Sequence, residues 1–183
     1  MTGLWGDGGP YQAWVGFLRR WAALEPADPA GLPDLREEQY DGDTWVRLTE
    51  HLTSALNTRL VTWAEHLVRA LNGTRDEFSW GRELAQARTG LHAVRALAGH
   101  PGLPESLRGR LTELVDGQIT EVQAQLERNL DAEIRRGTDP RFVERRRRTL
   151  RDNDLTATFT VRPTRETWSY DPAAPPRRRI VPE

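Results

Sequence analysis

Apolar residues recur at steps of three and four over about 28 consecutive positions in the middle of the sequence. This spacing places them on one face of an α-helix, because a helix has about 3.6 residues per turn. A helix of that length is about 40 Å long, and its apolar stripe needs other helices to bury it. The pattern therefore predicts a helical bundle. The stripe consists of Trp45, Leu48, Leu52, Leu56, Leu60, Trp63, Leu67 and Leu71.

Two further segments show the same spacing, and short loop-forming sequences separate the three. Gly73 is expected just beyond the end of the first, and residues 74–77 have the form of a capping box for the second. The third opens at Pro104 and runs to Gly137. Tight turns between long helices make them antiparallel neighbours. The two stripes are Trp80, Leu84, Ala87, Leu91, Val94 and Ala98, and then Leu107, Leu111, Leu114, Gln118, Val122, Leu126 and Leu130.

A shorter helix is predicted on each side of these three. Residues 10–25 form an aromatic stripe suited to cover an open side of the bundle, and a proline-rich stretch at 26–33 ends it. Asp139 and Pro140 read as an N-cap followed by proline at the first helical position, which opens an arginine-rich helix. The aromatic stripe contains Tyr11, Trp14, Leu18 and Trp21.

The sequence changes character after Asp154. The stretch LTATFTVR alternates apolar and polar residues with many β-branched side chains, which predicts a short strand. The remainder is rich in proline and arginine and is expected to be extended. We therefore predict an all-α fold: an up-down antiparallel bundle with a C-terminal arm containing one strand. The expected parts are a flexible N-terminus at 1–9, the bundle at 10–153 and the arm at 154–183.

Composition excludes several kinds of chemistry. The chain has no cysteine, and all 26 of its Lys+Arg residues are arginine. Thiolate nucleophiles, cysteine-ligated metals, Schiff-base lysines and the lysine of a phosphate-binding loop are therefore excluded. No apolar run approaches the roughly 18 residues of a membrane span, and the first residues lack a leader pattern, so we expect a cytoplasmic protein without membrane contact.

Histidines occur twice beside a glutamate, in the similar segments EHLTSALN and EHLVRALN that begin at Glu50 and Glu65. On one helix His51 and His66 lie about 22 Å apart and about 60° around the axis, so they cannot share a metal ion. Adjacent Glu and His side chains also diverge by about 100°. We predict a structural repeat, no metal site and no cofactor. The remaining histidines are His92 and His100.

The densest charge in the sequence lies at residues 141–151. Like charges at helical spacing repel, so counter-charges are implied. Three sources stay open: carboxylates of the preceding helix, phosphate, or an acidic partner. The expected carboxylates are Glu121, Glu127, Asp131 and Glu133. The candidate anion-binding or nucleic-acid-binding residues are Arg141, Arg145, Arg146, Arg147, Arg148 and Arg151, with a second group at Arg177, Arg178 and Arg179.

These observations favour a non-enzymatic subunit or adaptor whose arm binds a protein partner or a second copy of the chain, through strand addition and aromatic anchors. The alternative is a nucleic-acid-binding helical subunit that uses residues 141–151. A weaker alternative is a small-molecule-binding or enzymatic bundle with an aromatic pocket between the first two helices. The candidate partner-binding residues are Thr156, Thr158, Phe159, Thr160, Val161, Trp168 and Tyr170.

Overall fold

A computed structural model describes residues 9–25, 27–74 and 76–157, and in these residues the chain is all-α. Two single 3₁₀ turns, Pro29–Gly31 and Glu37–Gln39, connect the first helix to the second. No strand occurs in the described residues. The helices are α1 (Pro10–Ala22), α2 (Gly42–Gly73), α3 (Glu77–Ala98), α4 (Glu105–Arg135) and α5 (Pro140–Asp152).

The three long helices α2, α3 and α4 contact one another pairwise and enclose a leucine-rich core. Helix α1 packs on α2, while α5 packs on α3 and α4. Most residues of the predicted stripes are buried, and Val115 and Ile119, which the sequence places alongside the α4 stripe, lie in the core as well. Gln118 is exposed, and the half-buried members of the stripes are Trp63, Ala87, Leu114 and Val122. The fully buried side chains of the three long helices include Leu48, Leu52, Leu56, Leu84, Leu91, Leu107, Val115 and Ile119.

Two predicted helix ends are wrong. Gly73 is the last residue of α2 and does not lie beyond its end. It also lacks the positive φ that is typical of a glycine after a helix; among the described glycines Gly137 has one, of 89°. Asp76, not Thr74, caps α3, because its carboxylate accepts the Ser79 N–H at 2.8 Å. The Thr74 hydroxyl instead donates to the Leu71 carbonyl at 2.9 Å, so Thr74 closes the preceding helix.

The N-cap carboxylates of α2 and α3 make stability depend on acid pH. Hydrogen bonds from the Thr44 N–H and hydroxyl lower the pKa of Asp41, and those from Ser79 lower the pKa of Asp76. A carboxyl whose pKa is lower in the folded state contributes stability above its unfolded pKa of about 3.9 and loses it as pH falls through the folded pKa.

The variant with Asp41→Asn and Asp76→Asn retains a capping oxygen but no titrating group. Its melting temperature should therefore fall less than that of the native protein as pH is lowered below about 4. Melting curves followed by circular dichroism over a pH series measure this. Parallel curves for the two proteins would show that the capping carboxylates do not contribute.

A hydrogen-bonded cluster closes one end of the bundle. Trp14 Nε1–H donates to the Pro33 carbonyl at 2.8 Å. Buried His100 lies with Nε2 3.0 Å from the Pro29 carbonyl oxygen, and its Nδ1 accepts the Gly102 N–H at 3.1 Å. Since Nδ1 accepts, the proton resides on Nε2, and both ring nitrogens are satisfied. His100 therefore has a structural role.

The tryptophans of α1 and α2 fill the space between these two helices, where the weaker alternative function requires an aromatic pocket. Trp14, Trp21 and Trp45 are all buried in the core. Within the described residues no aromatic pocket remains between α1 and α2, because these three side chains are the packing itself.

Candidate functional site

The chain is bound to α3 and α4 where it leaves the bundle. The Leu155 side chain is fully buried, and its N–H donates to Gln123 Oε1 at 3.2 Å. Arg95 donates to three successive carbonyls, those of Leu155, Thr156 and Ala157, at 3.3, 3.2 and 3.4 Å. We call Arg95, Gln123 and residues 155–157 the arm root. The packed part of the chain therefore extends at least to Ala157.

The geometry of the arm root depends on an arginine. A guanidinium has five donors in a planar fork, so Nη1 and Nη2 reach neighbouring carbonyls while Nε of Arg95 lies 3.4 Å from Asp116 Oδ1. Asp154 directs the chain into this position, because its Oδ1 accepts both the Thr156 N–H and the Thr156 hydroxyl, at 2.8 and 2.7 Å. Residues 154–157 consequently have a defined position against α3.

This geometry bears on the predicted strand. Thr156 donates its N–H to Asp154 and accepts from Arg95 at its carbonyl, so it cannot join a strand ladder while the root is intact. Ala157 likewise accepts from Arg95. The other candidate partner-binding residues lie outside the described part of the chain; they are Thr158, Phe159, Thr160, Val161, Trp168 and Tyr170.

Four of the six arginines in α5 are paired with carboxylates of the same chain. Asp131 and Glu133 on α4 bind Arg147 and Arg146, as two of the four expected carboxylates. Glu121 binds Arg128 of its own helix instead. The remaining pairs are Arg145 with Glu77 at 3.3 Å, Arg147 with Glu144 at 3.6 Å and Arg151 with Glu144 at 3.1 Å.

Arg146 is the most buried of these arginines, with 12% of its side chain exposed. It pairs with Glu133 at 3.2 Å and donates to the Thr74 carbonyl at 3.2 Å, and its guanidinium lies 4.5 Å from the centroid of the Phe142 ring. These contacts join α5 to α4 and to the end of α2. Arg146 is therefore not accessible to phosphate, although it was a candidate for it.

Two arginines of α5 remain exposed and unpaired. Arg141 and Arg148 have no ion pair with any residue that the structure describes. The candidates Arg177, Arg178 and Arg179 lie beyond the last described residue. The arginine-rich helix thus presents far less free charge than its sequence indicates.

The surface of the described bundle has open grooves. One groove, of about 780 Å³ between α2 and α4, is lined by threonines that donate their hydroxyls to carbonyls of their own helix, including Thr53 to Thr49 at 2.9 Å. Within residues 9–25, 27–74 and 76–157, no three His, Cys, Asp or Glu side chains are placed to bind one metal ion. No helix there is long and apolar enough to cross a membrane.

The sequence patterns did not identify the side chains that bind residues 155–157. Arg95, Asp116 and Gln123 are single polar residues on amphipathic helices, and nothing in their spacing distinguishes them from solvated positions. Leu155 is apolar, but the alternating pattern that begins there predicts a strand. In the structure its side chain lies in the core of the bundle.

No protein family, no curated protein and no solved structure matches this chain.

Proposed function

We propose that the chain is a cytoplasmic, non-enzymatic helical subunit that docks into a larger protein assembly through its C-terminal arm. The observation that supports this is the arm root, where Arg95 holds three successive carbonyls and Leu155 enters the core. Such fixation makes the start of the arm part of the scaffold. The bundle then serves as a rigid base and the following residues as the contacting segment.

The proposed contact is strand addition by residues 158–161, with Trp168 and Tyr170 as anchors in partner pockets. Thr156 is left out of this strand because both of its backbone groups are already bonded. A fixed start lowers the conformational entropy lost on docking, because fewer residues must be ordered. The arm root therefore favours binding without contacting the partner.

A nucleic-acid-binding function remains the second proposal. Exposed Arg141 and Arg148, together with the arginines at 177–179, support it. The internal pairing of Arg145, Arg146 and Arg147 weakens it. Salt separates the two proposals, because phosphate contacts release counterions and make affinity fall steeply as salt rises, whereas strand addition does not.

Truncation after Ala157 tests the proposed function. The shortened chain keeps Leu155 and all three carbonyls bound by Arg95, so helix content and cooperative melting should match those of the full chain. Capture of the partner from an extract of the native cell should be lost. Trp168→Ala with Tyr170→Ala in the full chain is the matched variant, and it should lose capture without any change in chain length.

A further inference from the structure

A second groove runs between α2 and α3. It has a volume of about 590 Å³, and small residues form its floor, among them Ala70, Ala87 and Gly90. Trp63 lies in one wall, where its Nε1–H donates to the Ala87 carbonyl at 2.9 Å. A Cβ at Gly90 would lie 3.5 Å from Trp63 Cδ1, so the small residue leaves space beside the indole. We call this the α2–α3 groove.

The α2–α3 groove is lined by two arginines and one glutamate. Arg59 and Arg69 line the α2 side, about 15 Å apart along the helix axis. Among the described residues neither has a carboxylate partner, and Arg59 lies 4.7 Å from the centroid of the Trp21 ring. Burial lowers the pKa of the Arg59 guanidinium, as expected for a cation that lacks a counter-charge. Glu83 on the opposite wall is already paired with Arg82 at 3.4 Å.

Leu24 forms an apolar edge of the groove. Its φ is 64°, a left-handed conformation that glycine adopts without strain and that is unfavourable for residues with a Cβ. Its position follows the end of α1, where the Glu25 N–H donates to the Arg20 carbonyl at 3.0 Å. The leucine side chain is 53% exposed and lines the groove. The chain thus carries an exposed apolar residue at a position that favours glycine.

The chain itself contains a segment with the complementary chemistry. Residues 166–171 have the sequence ETWSYD, with a carboxylate at each end and Trp168 and Tyr170 between them. Five residues of extended chain span about 16 Å, which matches the separation of Arg59 and Arg69. The order also agrees, because an arm that starts near Arg95 enters the groove beside Val94, at the end where Arg59 lies.

The connecting length is sufficient. Glu166 lies nine positions after Ala157, whose carbonyl is bound to Arg95, and nine extended steps reach about 30 Å. The path around the exposed side of α3 to the groove is about 20 Å, given a helix about 10 Å wide. A connection within one molecule is therefore possible without moving the arm root.

We propose that residues 166–171 bind the α2–α3 groove of their own chain. Glu166, Trp168 and Tyr170 share one side of the extended segment and face the groove, with Glu166 at the half-buried Arg59, while Asp171 points to the opposite side and pairs with the exposed Arg69. In this state the arm is held on the bundle, and a partner must displace it to engage Trp168 and Tyr170. The inference rests on the proposed function only in taking the arm as the docking segment.

Tryptic cleavage of the full-length protein after Arg165 tests the proposal, because that bond adjoins the bound segment. In the variant with Arg59→Gln and Arg69→Gln, the initial rate measured by mass spectrometry should rise about tenfold, since two charge pairs are lost. The matched control, Arg47→Gln with Arg136→Gln, removes two exposed arginines outside the groove and should leave the rate unchanged. The rate should not depend on protein concentration.

Three further variants test the proposed contacts individually. Arg69→Glu should raise the cleavage rate, and adding Asp171→Arg should restore protection, because the charges are complementary again. Leu24→Gly should raise the cleavage rate, because the apolar edge of the groove is lost. It should not lower the melting temperature, because glycine adopts the positive φ at this position without strain.

Equal cleavage rates in the native protein and in the Arg59→Gln, Arg69→Gln variant would overturn the proposal. Protection that increases with protein concentration would overturn it too, and would assign the groove to the arm of a second copy. Because the measurement is made without a partner, its failure leaves the partner-capture test of the proposed function unaffected. Conversely, lost capture after truncation would not by itself support the groove.

Discussion

Replacing Leu155 with alanine is expected to lower the free energy of unfolding by about 3 kcal/mol. The leucine is fully buried between α3 and α4 although it lies beyond the end of the last helix. Removing its side chain leaves a cavity in addition to the lost apolar burial. Urea denaturation followed by circular dichroism measures the change.

Thr156→Ala is the matched control for Leu155→Ala. The neighbouring threonine is exposed, and its hydroxyl donates to the carboxylate of Asp154 at 2.7 Å. Its loss should cost less than about 1 kcal/mol. If both variants were equally stable, the segment after α5 would not be part of the core, and the arm would have no fixed start.

Arg146→Ala is expected to cost about 3 kcal/mol of unfolding free energy. The substitution leaves Glu133 without its cation, removes a donor from the Thr74 carbonyl and exposes the face of Phe142. Loss of one partner of a mostly buried ion pair costs about 3–5 kcal/mol, and the partial exposure of Glu133 places this pair at the low end of that range. Chemical denaturation in low and high salt measures both the loss and its electrostatic part.

Two companion variants identify the cause of the loss. Arg148→Ala changes an exposed arginine of the same helix and should alter stability by no more than about 0.5 kcal/mol. Arg146→Met keeps the apolar stem, so it separates packing from charge. Equal effects at positions 146 and 148 would contradict internal pairing as the role of the arginine-rich helix.

The helices could be predicted because one physical signal determines them along the whole bundle. Apolar spacing located α2, α3 and α4 to within a few residues, and Asp139 with Pro140 marked the start of α5 correctly. Helix ends were harder, because Thr74 and Asp76 are both capping residues and are two positions apart. In the structure the Thr74 hydroxyl donates to the Leu71 carbonyl in the last turn of α2, and Asp76 is the residue that caps α3.

The candidate site could not be predicted in the same way, because its contacts join residues distant in sequence. Arg95 binds carbonyls about sixty positions away. Gln123 accepts the N–H of Leu155, which lies 32 positions further along the sequence. Such contacts depend on the relative register of packed helices, which apolar spacing does not determine. The same holds for α5, where the sequence leaves the source of the counter-charges open and the structure pairs four of the six arginines with carboxylates of the same chain.

We propose that the bundle is a scaffold and that residues after Ala157 bind the partner. The most direct measurement is the amount of partner retained by the full chain and by the chain ending at Ala157, after both have been shown to melt alike. We predict that the shortened chain retains none above the background of an empty resin, while the full chain retains a stoichiometric amount. Equal retention by the two proteins would contradict the account and place the binding surface on the helices.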